Sequence, residues 1–361
     1  MRDRKYIHVF KKFKDPETIK LEDLKELPLV NIIIPAWKEG NLFKECLMSV
    51  SNLTYPNLKV IVNAGGSDET SKIANSFKKD IRFLILEQKL SGKIRALNEC
   101  LEHIDEGIVY SIDADVFLTD EVLLRLIYPI ININEFVSCG GVKPLQFQQN
   151  KGIVRYILLN RLYYFKNKFS RYGRYHISGP NTCFKYDVIR TIKKFSEENL
   201  YLESDRFRGP LILSKGYKIY WLNHYNSMIY TFFPDNLITY FKQEIRWRKN
   251  LLFDPMEKHK KLTIFKFILL IIYSFFIISA PVFLLLNYFL FVSIGFILFL
   301  NKYLNKIRRY IFFKNTMNER IDQKFEFSFF MKLFLYVYMD AVLTLILVPA
   351  SLRSIFEIKR S

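Results

Sequence analysis

Cysteine is scarce in this chain and scattered: Cys46, Cys100, Cys139 and Cys183 stand far apart, and no C-x-x-C pair occurs. That spacing argues against a zinc site and supplies no disulfide framework, so the four read as reduced, buried thiols of a cytosolic domain. An apolar leader is lacking too. Residues 1–28 are charged and have no hydrophobic core, so nothing there is expected to direct secretion or span a bilayer. Acid is in short supply, with 35 Asp and Glu against 54 Lys and Arg, a formal net charge of +19. No recognisable reading module organises that surplus, so nucleic acid is not an expected partner. Internal repeats are missing as well, which argues against an alternating-access transporter.

What the chain does have is long apolar runs near its carboxyl end. Its 361 residues leave room for one α/β domain and a smaller appendage. Leu262 to Leu300 is almost unbroken Ile, Leu, Phe and Val, interrupted by Lys266, Pro281 and Asn287. As one helix it would be roughly 58 Å long, about twice a hydrocarbon core, so two spans turning near Pro281 are expected. Phe329 to Leu352 is long enough for a third, with Asp340 mid-span. Such an acid faces protein or a water-filled pathway, serving a helix–helix hydrogen bond or substrate passage. Basic residues crowd the amino-terminal tail and Lys302 to Lys324, which suits the anionic cytoplasmic face of the cell membrane. Three spans would leave the tail on the far side, although Arg353, Lys359 and Arg360 favour the basic side.

The resulting plan is a basic segment (1–28), a catalytic domain (29–234) and an interfacial amphipathic helix (235–261). Two spans (262–300), a basic cytoplasmic loop (301–328), a third span (329–352) and a tail (353–361) follow. Within 29–234, short β-rich runs alternate with helical patterns. Val30–Ile34, Leu58–Val62, Arg82–Leu86 and Gly107–Ile112 read as strands, and Ile94, Leu97, Leu101 and Ile104 recur at helical spacing. That alternation predicts an α/β fold, a mostly parallel sheet with helices on both faces. Ligands of such sheets sit at the carboxyl ends of the strands.

The chemistry-bearing residues fall at those ends. Pro35-Ala36-Trp37-Lys38-Glu39 follows the first strand and Asn63-Ala64-Gly65-Gly66-Ser67-Asp68 the second. The glycines permit close backbone approach to a ligand, and the turn opens a helix whose amides favour anions; a plain strand–turn–helix connection explains them equally. Lys93 begins a further helix, where it suits a diphosphate. Asp113-Ala114-Asp115 emerges from the fourth strand, and its i, i+2 carboxylates fit oxygen ligation of Mg²⁺ or Mn²⁺. A metal there would neutralise the charge developing on a nucleoside diphosphate leaving group. Asp205, with Glu203 in reserve, is the candidate base that takes a proton from an attacking hydroxyl. In Gln243-Glu244-Ile245-Arg246-Trp247, helical spacing gathers Gln243, Arg246 and Trp247 on one face. Arginine clamps phosphate and an indole stacks on a pyranose.

This ordered set resembles the family 2 glycosyltransferases with a membrane-attached, synthase-like GT-A domain, a group that includes cellulose, chitin, hyaluronan and poly-N-acetylglucosamine synthases. The resemblance runs from about Leu29 to Asn250. It implies an inverting, metal-dependent transfer from a nucleotide-sugar donor, a UDP-sugar, to a saccharide or lipid-linked acceptor at the cytoplasmic membrane face. It assigns Pro35, Ala36, Glu39, Asn63, Gly65, Asp68 and Lys93 to the donor, and Asp113 and Asp115 to nucleotide and metal. Asp205 becomes the base, Gln243 and Arg246 contact the diphosphate, and Trp247 meets the acceptor sugar. Ser178-Gly179-Pro180-Asn181-Thr182-Cys183-Phe184-Lys185 is similar to the acceptor-side segment, which brings in Gly179 and Pro180. Two departures stand out: Asn63-Ala64 replaces an acidic pair, and Glu203-Ser204-Asp205 replaces T-E-D. No span precedes Leu29, so a complete polymer channel within one chain is not expected. Addition of a single sugar to a lipid carrier, or a catalytically silent membrane scaffold, are the alternatives.

Overall fold

The computed structural model describes residues 18–148, 151–161, 177–192, 205–222, 224–252, 257–316 and 327–358. They fall into two compact units, one built from the residues up to Gln146 and from Asn167 to Phe233, the other from Phe147–Lys166 and Pro234 onward. The helix Gly152–Arg161 therefore groups with the carboxyl-terminal helices and not with the domain in which its sequence position places it.

In the first unit, β1 (Val30–Trp37), β2 (Leu58–Gly65), β3 (Phe83–Gln88) and β4 (Ile108–Ser111) pair in parallel. Two further strands, β6 (Val137–Cys139) and β8 (Thr182–Lys185), are antiparallel to each other, and β8 is antiparallel to β4; β9 (Tyr220–Trp221) runs parallel to β6. The sheet order is β3-β2-β1-β4-β8-β6-β9, so the expected parallel half is joined to a mixed half. A second small sheet has the order β5-β10-β7, from β5 (Val116–Phe117), β7 (Val142–Pro144) and β10 (Ile229–Thr231).

Apolar side chains alternate across β1 and bury on both faces, as a central parallel strand requires. Val30, Ile32 and Ile34 join one core with Phe43, Leu47 and Val50 of α1 (Asn41–Ser51), Ala74 of α2 (Asp68–Asn75) and Leu123 and Ile127 of α4 (Asp120–Asn132). Ile33 points into the other, with Leu97 of α3 (Lys93–Leu101), Ile189 of α6 (Tyr186–Ile192) and Ile212 of α7 (Asp205–Ser214). All four cysteines are free and buried. Burial pushes the Cys46 and Cys100 thiols up, which keeps both protonated.

The second unit is helical: α5 (Gly152–Arg161), α8 (Leu237–Leu252), α9 (Glu257–Leu285), α10 (Phe289–Thr316) and α11 (Phe327–Ile358). The turn expected near Pro281 lies later, at Leu286–Tyr288, and Pro281 stays inside α9. Asn287 takes φ 59° at that turn, a left-handed conformation Asn tolerates better than most residues. The basic stretch from Lys302 to Thr316 is the last part of α10, not a loop. Packing of α9 on α10 is close at Gly295, where a Cβ would come 2.6 Å from the Phe276 carbonyl and 2.9 Å from Ala280. Phe291 stacks on Phe283 at 5.0 Å alongside.

Candidate active site

Four strand ends of the first unit deliver the site. β1 terminates in Trp37-Lys38-Glu39, where Lys38 holds φ 57° and its N–H donates to the Gly65 carbonyl at 3.0 Å. Thr70 Oγ1 of α2 donates to the Glu39 carbonyl at 2.8 Å, which fastens this loop to the next one. The α2 helix is capped by Ser67, whose hydroxyl accepts from the Thr70 N–H, and Asp68 stands exposed in its first turn.

Past β4, the Ile112 N–H donates to the Ile33 carbonyl at 3.2 Å, and the chain then enters Asp113-Ala114-Asp115. Cys46 of α1 donates through its thiol to the Asp113 carbonyl at 3.6 Å, and Thr231 of β10 donates to the Asp115 carbonyl at 3.4 Å. Both carboxylates are thus anchored through their backbones while their side chains stay half-buried. Lys93 begins α3, as its sequence position predicts, and its ammonium meets Asp113 Oδ1 at 2.6 Å. Glu39 lies close to the same pair: burial foremost, then the charges of Asp115 and Asp113, hold its carboxyl above the usual carboxylate range. Three acids and one lysine from two strand ends and one helix start therefore converge.

In the second loop the structure shows the plain-connection side of its sequence reading. Asn63 is fully buried, and its amide donates to Glu99 Oε2 at 2.5 Å and to the Ala96 carbonyl at 3.3 Å, both on α3. The two glycines serve packing of the protein itself. A Cβ on Gly65 would stand 2.0 Å from the Gln88 carbonyl of β3, and one on Gly66, at φ 81°, would meet the Trp37 indole at 2.7 Å.

Gly179 and Pro180 form the turn before β8. Beside them Asn181 is a buried hub that sequence reasoning missed. It accepts from the Tyr110 hydroxyl at 2.7 Å and donates to the Gly141 and Ser227 carbonyls, each at 2.8 Å. Arg208 on α7 was missed as well: it is 2% exposed, and its guanidinium reaches Ser111 Oγ at 3.4 Å, two residues before Asp113. Nothing in a single sequence marks a buried Arg, since its periodicity matches any inward residue. Asp205 is the first residue of α7. Its side chain lies outside the described residues, as do Glu203 and the side chain of Trp247. Gln243 and Arg246 lie on α8 of the second unit. Pro35 and Ala36 are the sixth and seventh residues of β1, with Ala36 buried.

Among the described residues no cluster of three or more His, Cys, Asp and Glu is set to hold a metal by itself. The carboxylate oxygens of Asp115 and Asp113 are of the chemistry that suits a hard divalent cation.

A model of the family described as Glycosyl transferase family 2 matches residues 31–199. Among curated proteins, the chain is 25% identical over 256 residues to a poly-beta-1,6-N-acetyl-D-glucosamine synthase of Staphylococcus epidermidis, covering 65% of this chain and 59% of that one. It is 23% identical over 255 residues to an N-acetylglucosaminyltransferase of Azorhizobium caulinodans, covering 65% and 63%. The match thus spans less than two thirds of either relative. A mannosyltransferase of Pyrobaculum calidifontis, solved with GDP-Man and Mn²⁺, superposes with a TM-score of 0.52 over 95% of this chain and 92% of its own, at 14% identity. At that identity the likeness is one of fold.

Proposed function

We propose that this chain, whose residues 31–199 match the Glycosyl transferase family 2 model and whose fold is like that of a GT-A enzyme, carries out an inverting sugar transfer from a nucleotide sugar, a UDP-sugar, to a saccharide or lipid-linked acceptor at the cytoplasmic membrane face. The observation that carries the reading is the convergence of Glu39, Asp113, Asp115 and Lys93 at the strand ends. Lys93 and Asp113 form a preset ion pair beside the place a diphosphate would occupy, and helix starts at Asp68 and Lys93 add backbone donors. Asp205 takes the proton of the acceptor hydroxyl as that oxygen forms its bond to the anomeric carbon. The bond from that carbon to the diphosphate breaks, and the electron pair leaves with the nucleoside diphosphate. Mg²⁺ or Mn²⁺ held by Asp115 with Asp113 would supply charge neutralisation on the departing diphosphate. Gln243, Arg246 and Trp247 keep the roles that the resemblance gives them.

Membrane attachment belongs to the same proposal. Ile268–Leu285 and Phe289–Ile311 are long and apolar enough to cross a bilayer, and the third span remains a proposal, for 329–352 within α11. Release of nucleoside diphosphate by purified full-length protein tests the reading, across a panel of nucleotide sugars with Mg²⁺ or Mn²⁺ and native membrane lipids. Release with one donor, lost in Asp205→Asn and on chelation, supports it. Silence across the panel with lipids present would move the chain to the scaffold alternative.

A further inference from the structure

The second unit leaves large apolar side chains open at a corner outside the two candidate spans. Phe147 is 68% exposed, and Leu237 and Ile238 at the start of α8 are 48% and 68% exposed. Lys151 joins the two segments through an ion pair with Asp235 at 2.7 Å. Along α8 the helical repeat gathers Leu237, Ile238, Phe241 and Ile245 into one stripe, with Phe241 and Ile245 half-buried. Exposed Lys242 borders that stripe on one side and buried Tyr240 on the other.

A chain of contacts sets the depth of this corner. Tyr240 meets the Tyr156 ring of α5 edge-on, with centroids 5.9 Å apart. The Tyr156 hydroxyl donates to Asp340 of α11, and Asp340 Oδ2 contacts the ammonium of Lys306 on α10 at 2.8 Å. Lys306 also donates to Asn160 Oδ1 of α5, so the four helices are level at these residues. At about 1.5 Å per residue, Lys306 lies roughly 25 Å along α10 from Phe289. With the turn at Leu286–Tyr288 on one surface of a hydrocarbon core about 30 Å thick, Lys306 lies about 5 Å inside the other surface. Leu237 and Ile238 stand within one helical turn of Tyr240 and therefore at that surface. The Lys151–Asp235 pair ties the segment of Phe147 to the same place. At that depth headgroups give way to acyl chains, where apolar faces sink and a lysine ammonium stays with the phosphates.

We propose that Phe147, together with Leu237, Ile238 and the adjoining stripe of α8, inserts into the headgroup–acyl boundary of the leaflet nearer Lys306. The insertion holds the start of the helix that carries Gln243 and Arg246 against the lipid surface. This rests on the membrane-spanning part of the reading above and needs neither donor nor turnover. The test places the full chain in phosphatidylcholine vesicles with a fluorescent maleimide on Phe147→Cys or on Ile238→Cys. The four native cysteines are buried, and the unsubstituted chain carried through the same labelling is the blank. The vesicles carry a nitroxide lipid labelled either near its headgroup or at the end of its acyl chain. Both protein labels should lose more fluorescence to the headgroup-side nitroxide than to the chain-end one. A label on Phe296→Cys, exposed on α10 about 10 Å from Phe289, should show the opposite order. Leu237→Cys replaces either corner variant if it fails to fold. With Phe296 behaving as expected, absence of quenching at either corner label, or stronger quenching there by the chain-end nitroxide, would overturn the proposal. A Phe296 label that neither nitroxide quenches would instead remove the membrane-spanning reading and the proposal with it, so the two failures are told apart.

Discussion

Glu39 carries an unfavourable charge in the folded protein. Its raised pKa means that the folded state prefers the neutral carboxyl. Stability from this group is therefore fully present below its ordinary value of 4.5 and is lost as pH rises through the folded pKa. Glu39→Gln should accordingly raise the melting temperature of the donor-free protein at pH 7, and the gain should vanish below pH 4.5. A gain that persists in acid, or none at neutrality, would refute the electrostatic cause. On the proposed reading Asp115→Ala should lower nucleoside diphosphate release by about 10²-fold or more, since it would remove a ligand of the cation that neutralises the departing diphosphate. Gly65→Ala forces a Cβ against the Gln88 backbone and should cost about 1–3 kcal/mol in a denaturant titration. Asn63 shows what residue-level reading leaves out. Its type and place suggest a ligand contact, and the structure adds what they could not show, that its Nδ2 donates to Glu99 and Ala96 on α3.

At the scale of elements, periodicity does most of the work. Alternation in β1 and the spacing of Ile94, Leu97 and Leu101 in α3 predict both elements, because each must bury a defined side against the sheet. The antiparallel insertion of β8 between β4 and β6 was not legible, since Thr182–Lys185 has the pattern of any buried strand and its direction depends on a distant crossover. Pro281 misled for a related reason: proline disfavours a helix interior, but packing of α9 against α10 outweighs one lost hydrogen bond. Asp340 joins three helices, so of the two roles open to a mid-span acid it takes the interhelical bond. Asp340→Asn should cost about 3–5 kcal/mol, because it leaves the buried Lys306 without its counter-charge. The paired change Asp340→Leu with Lys306→Met should recover most of that loss in thermal unfolding in detergent. No recovery would show that the network is worth more than its charges.

For the whole molecule, the formal charge of +19 and the two apolar helices make a joint prediction. The chain should stay in membrane pellets through high salt and alkaline carbonate and leave only with detergent. Release by salt would reduce the apolar helices to a buried bundle and leave only electrostatic attachment.

Composition, hydropathy and motif order were enough to determine a mostly parallel α/β domain followed by apolar helices, and to bring Lys93, Asp113 and Asp115 forward as a set. They sufficed because burial and turn chemistry are local properties, repeated every two or 3.6 residues. Only the tertiary structure decided that Glu39 shares a field with both aspartates, that Lys93 grips Asp113 and that Asn63 turns to α3. It also decided that Asp340 meets residues 156 and 160 on α5. Those partners lie tens to nearly two hundred positions apart in the chain. Their meeting depends on how strands and helices cross and pack, which no local pattern encodes.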